Sequence, residues 1–398
     1  LKHNRYCVPK DYDSLENIQS IIDSSRVKDD KSPGHPWCSE LSLSKNWEVL
    51  ENYPDFNKLV KHYWNQPFQT KNFGKAEFNK VKKVKANMPR GVQGHPLHKL
   101  IQNAAVFSNV INAMHENWKK SPVKYSFSPG NPGNIENLVE TLGKDKVYES
   151  DKETWEYCLH EYMIQPLIDI VTGLAIRGSD VSDEDEAKYF ADVALCVNQA
   201  LRDKRIRCSN GTVFRPITDG TMSSGWLFTI DGNSIEQIFI DTLICIILEM
   251  TDEEILSNPI VAGGDDVLQS FKNEVDISKY EQTSRDLGVP VKLIEKSSFD
   301  GSSFFSNKFS YNKSLLCWKF TPERFTRHVL GIQYTKNSDL PDALCSHMRN
   351  WFWSNSHYKF FLDLYMKQHE SNAEMFPLAA IPSPISLKNK QKGYESGW

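Results

Sequence analysis

Cysteine is present but unpaired in pattern. The eight cysteines, at positions 7, 38, 158, 196, 208, 245, 317 and 345, are scattered and contain no Cys-x-x-Cys. That scatter argues against a disulfide framework or a zinc or redox motif and favours a reduced, cytosolic setting. His35 with Cys38, and His95 with His98, each lack a second half, so they read as solvated or packed side chains rather than zinc ligands. Charge of one sign is also missing: 47 Lys and Arg against 51 Asp and Glu leave a net −4. Nucleic-acid binding therefore cannot rest on overall charge and must come from a local basic tract. Long apolar runs are absent, since Ile238 to Leu248 is broken by Asp241 and far too short to cross a bilayer. There is no internal repeat and no low-complexity block. What remains is 398 residues with 39% hydrophobic content, enough for a large core and two or three subdomains. The chain opens on Leu1 rather than Met, which suits a piece cut from a longer precursor or a trimmed chain.

The stretch that organises the rest is Val261-Ala262-Gly263-Gly264-Asp265-Asp266-Val267-Leu268. Apolar residues flank a glycine pair and two adjacent carboxylates, the pattern of a tight hairpin. Two acids projected from rigid strands can hold divalent cations at an exposed edge, as metal-dependent phosphoryl transfer needs. An ordinary polar turn would look the same in isolation. Other stretches decide between these readings.

Lys31-Ser32-Pro33-Gly34-His35-Pro36-Trp37 is a stiff loop ending in an aromatic. Lys80, Lys82 and Lys85 alternate with Val81 and Val84 and lead to Arg90, which predicts an extended basic ribbon able to neutralise phosphates; a solvated charged face is the bland alternative. Leu97 to Met114 has helical spacing of its apolar residues. Val147 to Asp151 is β-rich and passes into a helix-like segment through Ile170, placing the Asp151 carboxylate at a strand end. Residues 180 to 206 read as an amphipathic helix, and Cys208 to Phe214 as an Asn-Gly hairpin. A small-residue loop with Ser224 and Gly225 then enters a helix on which Thr229 and Asn233, four apart, share a face. Ser278 to Leu287 reads as a polar helix, Val289 to Ser297 as a strand and turn, and Phe304 to Phe309 as an aromatic hairpin arm. From about Thr321 the chain is rich in helix formers and aromatics.

In this order, these stretches resemble the motif series of the viral RNA-dependent RNA polymerases. Ser32, Pro33 and Gly34 are similar to the template-entry motif, and Lys80 to Arg90 to the basic motif that grips an incoming triphosphate. Ser150 to Leu159 resembles motif A, with its metal-binding Asp at Asp151 and its second acid at Glu156, where the family usually has Asp. Ser224, Gly225, Thr229 and Asn233 fit motif B, and Gly264-Asp265-Asp266 fits motif C. Gly288 to Lys296 resembles motif D with its lysine at Lys296, and Phe304 to Phe309 resembles motif E. An alternative acidic cluster at Asp180, Asp183 and Asp185 lacks the β-rich entry and lies close to the motif B hairpin. The Asp-x-x-x-Trp-acid-aromatic run and the Asp219-Gly220 lead-in look most like the sobemovirus and astrovirus branch; partitivirus and picobirnavirus enzymes share the Ser-Gly-Trp feature.

The resemblance implies an α+β right hand: fingers over 1–146, palm over 147–172 with an antiparallel sheet and helices, a fingers insertion over 173–215, palm over 216–310, and a mainly helical thumb and tail over 311–398. It implies template-directed RNA synthesis from nucleoside triphosphates, replicating or transcribing a viral RNA genome, on an RNA template and nascent RNA. Asp151, Asp265 and Asp266 would bind Mg²⁺, with Mn²⁺ able to substitute. Lys85 and Arg90 would meet the triphosphate, Lys296 would donate a proton to pyrophosphate, with Lys292 the less favoured choice, and Asn233 with Glu156 and Ser224 would read the ribose 2′-hydroxyl. Other viral replication proteins are expected partners. The expected setting is the host-cell cytoplasm in a replication complex, or the virion for a double-stranded genome. Two other classes stay open. A reverse transcriptase would share the palm acids but use a bulky steric gate at the sugar, and a non-catalytic RNA-binding module would not need the acids in this spacing.

Overall fold

The computed structural model describes residues 1–24, 26–74, 85, 91–131, 133–152 and 155–391. Its centre is a four-stranded antiparallel sheet in the order Val291–Lys296, Val147–Lys152, Asp266–Gln269, Ile260–Gly263. Pro122 to Lys124 lies along the free edge of Ile260–Gly263: the Ala262 N–H donates to Pro122 O and the Lys124 N–H to Ala262 O, both at 2.8 Å. That edge strand is too short and polar to announce itself in sequence. The buried Lys124 ammonium donates to Trp118 O and Asn137 Oδ1, so the segment is held without exposing a sheet edge.

The pleat sends alternate residues of each strand to opposite faces. Tyr148, Val291 and Leu293 face one core, shared with the helices Leu97–Glu116, Glu161–Gly173, Asp183–Leu201, Thr229–Ile247 and Ile277–Asp286. Val147, Val261 and Leu268 face the other, built from Trp118, Phe299, Phe304, Phe309, Phe320, Trp351 and Phe361. This second core joins the helix Asn134–Leu142, a three-stranded sheet (Ser303–Phe304, Asn307–Asn312, Cys317–Pro322) and the helices Leu340–Trp351 and Asn355–Ser371. The central sheet is thus clamped on both faces.

A second four-stranded sheet has the order Gly91–Gly94, Thr70–Gly74, Ile206–Arg207, Val213–Phe214. Its last two strands form the expected Asn-Gly hairpin, with Gly211 at φ +87° and the Thr212 N–H on Asn210 Oδ1. The parallel pairing of Thr70–Gly74 with Ile206–Arg207 ties the first 100 residues to the stretch after Asp183–Leu201. Tyr6–Cys7 pairs in the same way with Ala175–Ile176.

Candidate active site

Gly263 pairs with Asp266 across a two-residue turn of Gly264 and Asp265. Gly264 has φ +70°, the left-handed conformation that glycine adopts without steric cost at the first turn position. A Cβ on Gly263 would overlap the Phe305 ring, so glycine there lets the aromatic hairpin lie directly against the turn. That hairpin turns through Phe305 and Ser306, both at positive φ (51° and 56°), a conformation no glycine in the sequence marks. The Gly264 N–H donates to Ser234 Oγ at 2.9 Å, which fastens the turn to the helix Thr229–Ile247.

Asp265 is exposed at the tip, whereas Asp266 is partly buried. Burial, with the neighbouring Asp265 and Glu323 charges, pushes the Asp266 carboxyl up to about 6, against the opposing pull of the Phe305 N–H and Arg324. Crowded carboxylates of this kind are suited to a cation, whose charge reverses that shift. Among the described residues no three His, Cys, Asp or Glu converge into a ready cage. Mg²⁺ does not ordinarily require one, because one or two carboxylates and substrate phosphates complete its shell. The residues therefore fit a divalent ion that arrives with a triphosphate.

Asp151 ends an exposed strand position beside this hairpin. Ser150 pairs with Val267, the last pair between these two strands, which leaves Asp151 one residue beyond it and, by the alternation of the pleat, on the same face as Asp266. On the other side Lys292 stands opposite Asp151. Lys292 and Asp151 are thus the opposed pair of a row that Asp266 continues on the same face of the next strand. Lys296 is not in that row: it stands opposite Val147, four residues and about 13 Å along the strand. Its Nζ lies 3.5 Å from Glu149 Oε2. The register accordingly moves the lysine nearest the acids from Lys296 to Lys292. The alternative acids lie elsewhere, with Asp183 paired to Arg177, Asp180 to Lys10, and Asp185 bonded to Ser182 at a helix start.

The loop before the Thr229–Ile247 helix is shaped by contacts with the second sheet. A Cβ on Gly225 would overlap Gln93 O, and Gly225 bridges Gly94, so only glycine permits this approach. Ser224 Oγ lies 3.4 Å from Gln93 N and 3.5 Å from Gly91 O, leaving the hydroxyl partly exposed between the two sheets. Thr229 Oγ1 bonds back to Ser223 O and Trp226 O at 2.6 Å, which closes the loop onto the helix start. Asn233, one turn on, accepts a 3.0 Å hydrogen bond from Trp155 Nε1. The side chain of Glu156, expected beside Asn233, lies outside the described residues, as do Arg90 and all of the basic tract but Lys85. Lys85 is exposed with helical backbone, not the extended ribbon expected of it. Ser32 is exposed, while Pro33 and Gly34 are buried at the start of Leu97–Glu116, where Pro33 O accepts from the Leu97 N–H at 2.8 Å.

Residues 8–368 match the family described as viral RNA-dependent RNA polymerase. The chain belongs to that family. It is an RNA-directed RNA polymerase with the right-hand α+β fold. Among solved structures it is similar to a sicinivirus 3Dpol RNA dependent RNA polymerase, with a TM-score of 0.66 and 17% sequence identity, covering 87% of this chain and 74% of that one. No curated protein matches the chain. For the polymerase, sequence spacing alone missed two groups, Ser234 on the Gly264 turn and the Trp155 indole on Asn233, and ranked Lys292 second. Ser234 directly follows Asn233, but a serine on a helix is ordinarily bonded to its own backbone, and only the fold brings Gly264 to it.

Proposed function

We propose that this polymerase extends an RNA 3′-hydroxyl with nucleoside triphosphates by two-metal-ion catalysis, replicating or transcribing a viral RNA genome. The observation that carries the reading is the row of Lys292, Asp151 and Asp266 with Asp265 at the adjoining tip. Bound divalent cations, Mg²⁺ or Mn²⁺, would activate the attacking hydroxyl and offset charge on the triphosphate. Asp151 and Asp265 are the ligands in this scheme, and Asp266 supports the second site through its nearby charge. Lys292 lies where a proton could be delivered to departing pyrophosphate, and it displaces Lys296 in that role. Lys85 and Arg90 neutralise the triphosphate, Ser224 and Asn233 read the sugar, and Ser32 to Gly34 line the template entry. RNA template, nascent RNA and other viral replication proteins are the partners.

Strand pairings of Thr70–Gly74 with Ile206–Arg207, and of Tyr6–Cys7 with Ala175–Ile176, support a fingers unit made of the N-terminal stretch and the 173–215 insertion. Trp118, Phe127 and Leu138 pack in the core shared with the C-terminal helices, so the fingers end near 117 in this reading rather than at 146. The proposed affiliation remains the sobemovirus and astrovirus branch, on the Trp155 run and the Asp219-Gly220 lead-in. Gly220 supports that lead-in physically, since its φ is +104° and a Cβ would overlap Leu159 O at the end of motif A. The proposed location is the host cytoplasm in a replication complex; among the described residues no helix is long and apolar enough to cross a membrane.

The test is incorporation of labelled ribonucleotides against deoxyribonucleotides on a homopolymer template, with and without Mg²⁺. Metal-dependent incorporation that favours ribonucleotides is expected. Metal-independent incorporation, or a preference for deoxyribonucleotides, refutes the reading.

A further inference from the structure

Asn233 can present either end of its amide to a ligand, and its contact with Trp155 selects one. An indole N–H can only donate. The atom 3.0 Å from Trp155 Nε1 must therefore be the amide oxygen, Oδ1, which leaves the Nδ2 hydrogens facing away. The indole itself is not free to swing. Trp155 is 5% exposed, and the Lys152 ammonium sits 5.7 Å over its ring. Lys152 is in turn anchored: its Nζ is 3.5 Å from Asp241 Oδ2, with side chains 1% and 5% exposed, and 3.1 Å from Ser150 Oγ. The Tyr280 hydroxyl donates to the other oxygen of Asp241. One buried chain of contacts thus runs from the Ile277–Asp286 helix, through the Thr229–Ile247 helix and the Asp151 strand, to the Asn233 amide.

We infer that Trp155 is a positioning residue that locks Asn233 with its amide nitrogen outward, so the polymerase recognises the sugar 2′ substituent as a hydrogen-bond acceptor. This rests on the proposed role of Asn233 in reading the sugar. It has a consequence that a merely structural tryptophan does not. A 2′-hydroxyl can accept, a 2′-fluorine accepts weakly, and a 2′-hydrogen not at all. Discrimination should therefore follow the order hydroxyl, fluorine, hydrogen.

The experiment measures kcat/KM for single-nucleotide incorporation of ribo-, 2′-fluoro-2′-deoxy- and 2′-deoxynucleoside triphosphates by the full chain and three variants. The wild-type protein is expected to use the 2′-fluoro substrate better than the deoxy one. Trp155→Phe keeps the ring over Lys152 but frees the amide to turn, and should lower the ribo-over-deoxy preference about fivefold, the worth of one hydrogen bond, and the fluoro-over-deoxy preference in the same direction by less. Asn233→Asp still accepts from Trp155 with one oxygen but offers the second to the sugar. Ribose then retains an advantage, while the fluorine is repelled and falls to or below the deoxy level. If Trp155→Phe does not fold, the Asn233→Asp reversal decides alone. A fluoro substrate no better than deoxy in the wild type, or an unchanged preference in both variants, overturns the inference. Asn233→Ala separates the two levels. Unchanged ribose preference there overturns the sugar-reading role and the inference with it. A lowered ribose preference in Asn233→Ala, beside unaltered fluoro preference in Trp155→Phe and Asn233→Asp, overturns the orientation alone.

Discussion

Replacing Ser234 with alanine removes one oxygen from a fully buried site and touches neither an acid nor a sugar-reading residue. Two bonds go with it: the hydroxyl's donation to Ile230 O at 2.8 Å and the acceptance from Gly264 N–H at 2.9 Å. The first matters little, because a helix carbonyl already has its backbone partner and alanine is the better helix former by about 0.5 kcal/mol. The second leaves a buried turn N–H without an acceptor, which costs on the order of 1–3 kcal/mol. A net destabilisation of about 1–2 kcal/mol follows, read as a fall of a few degrees in Tm at this chain length. The structural consequence is larger than the thermal one. Gly264 precedes Asp265, so a turn that no longer grips the helix lets that carboxylate wander. The Mg²⁺ concentration for half-maximal incorporation should rise several-fold, while RNA affinity measured without metal stays put. Ser234→Cys, with a weaker acceptor of similar shape, should fall between. A Ser234→Ala protein with wild-type Tm and wild-type Mg²⁺ dependence would show that the Gly263–Asp266 pair holds the turn unaided.

Asp265→Asn should abolish Mg²⁺-dependent incorporation and leave the thermal transition and RNA binding nearly unchanged, since a charged ligand is lost with little volume; substantial polymerisation in a primer-extension assay would remove Asp265 from its role. Lys292→Ala should slow incorporation well beyond Lys296→Ala, because only Lys292 stands level with Asp151; the reverse ranking in single-turnover rates would refute the register argument. Glu236 is buried with neither carboxylate oxygen bonded among the described residues, and burial holds its pKa well above the usual carboxylate range. The folded state thus keeps a proton that the unfolded chain releases above the ordinary value, and the associated stability is lost as pH rises from there towards the folded pKa. Glu236→Gln should therefore raise Tm, and by more at pH 8 than at pH 5; a pH-independent difference in thermal melts would contradict this.

The elements that were legible in the sequence are those whose periodicity reports burial. The Leu97–Glu116 helix, the Val147–Lys152 strand and the Gly-Asp-Asp hairpin all carry their pattern locally, and the Asn-Gly hairpin carries its turn chemistry. Lys296 shows where this fails. A lysine on a strand can be counted from the sequence, but which neighbour it meets depends on register, and register is set by pairing with Val147–Lys152 rather than by spacing from the acids. Phe305 was legible as part of an aromatic arm. Its place against Gly263 was not, because consecutive non-glycine residues at positive φ have no local signature. Trp155 is a further case: its indole bonds the Asn233 amide, a partner that residue spacing did not point to.

Asp151 and Lys152 show why the sheet must sit between two cores. Adjacent in sequence, they point to opposite faces of one strand. Lys152 enters the helical core, where Asp241 and Ser150 receive its charge. Asp151 emerges on the other face, in line with Lys292 and Asp266 and open to solvent. The buried pair contributes little net stability, because the desolvation of both ions offsets their attraction. Its effect is on register. A slip of one residue along Val147–Lys152 would strip Asp241 of its lysine and turn the Asp151 carboxylate into the helical core, at a cost of several kcal/mol. The ion pair therefore fixes which side of the strand faces solvent, and the position of the exposed acid follows from the position of the buried base.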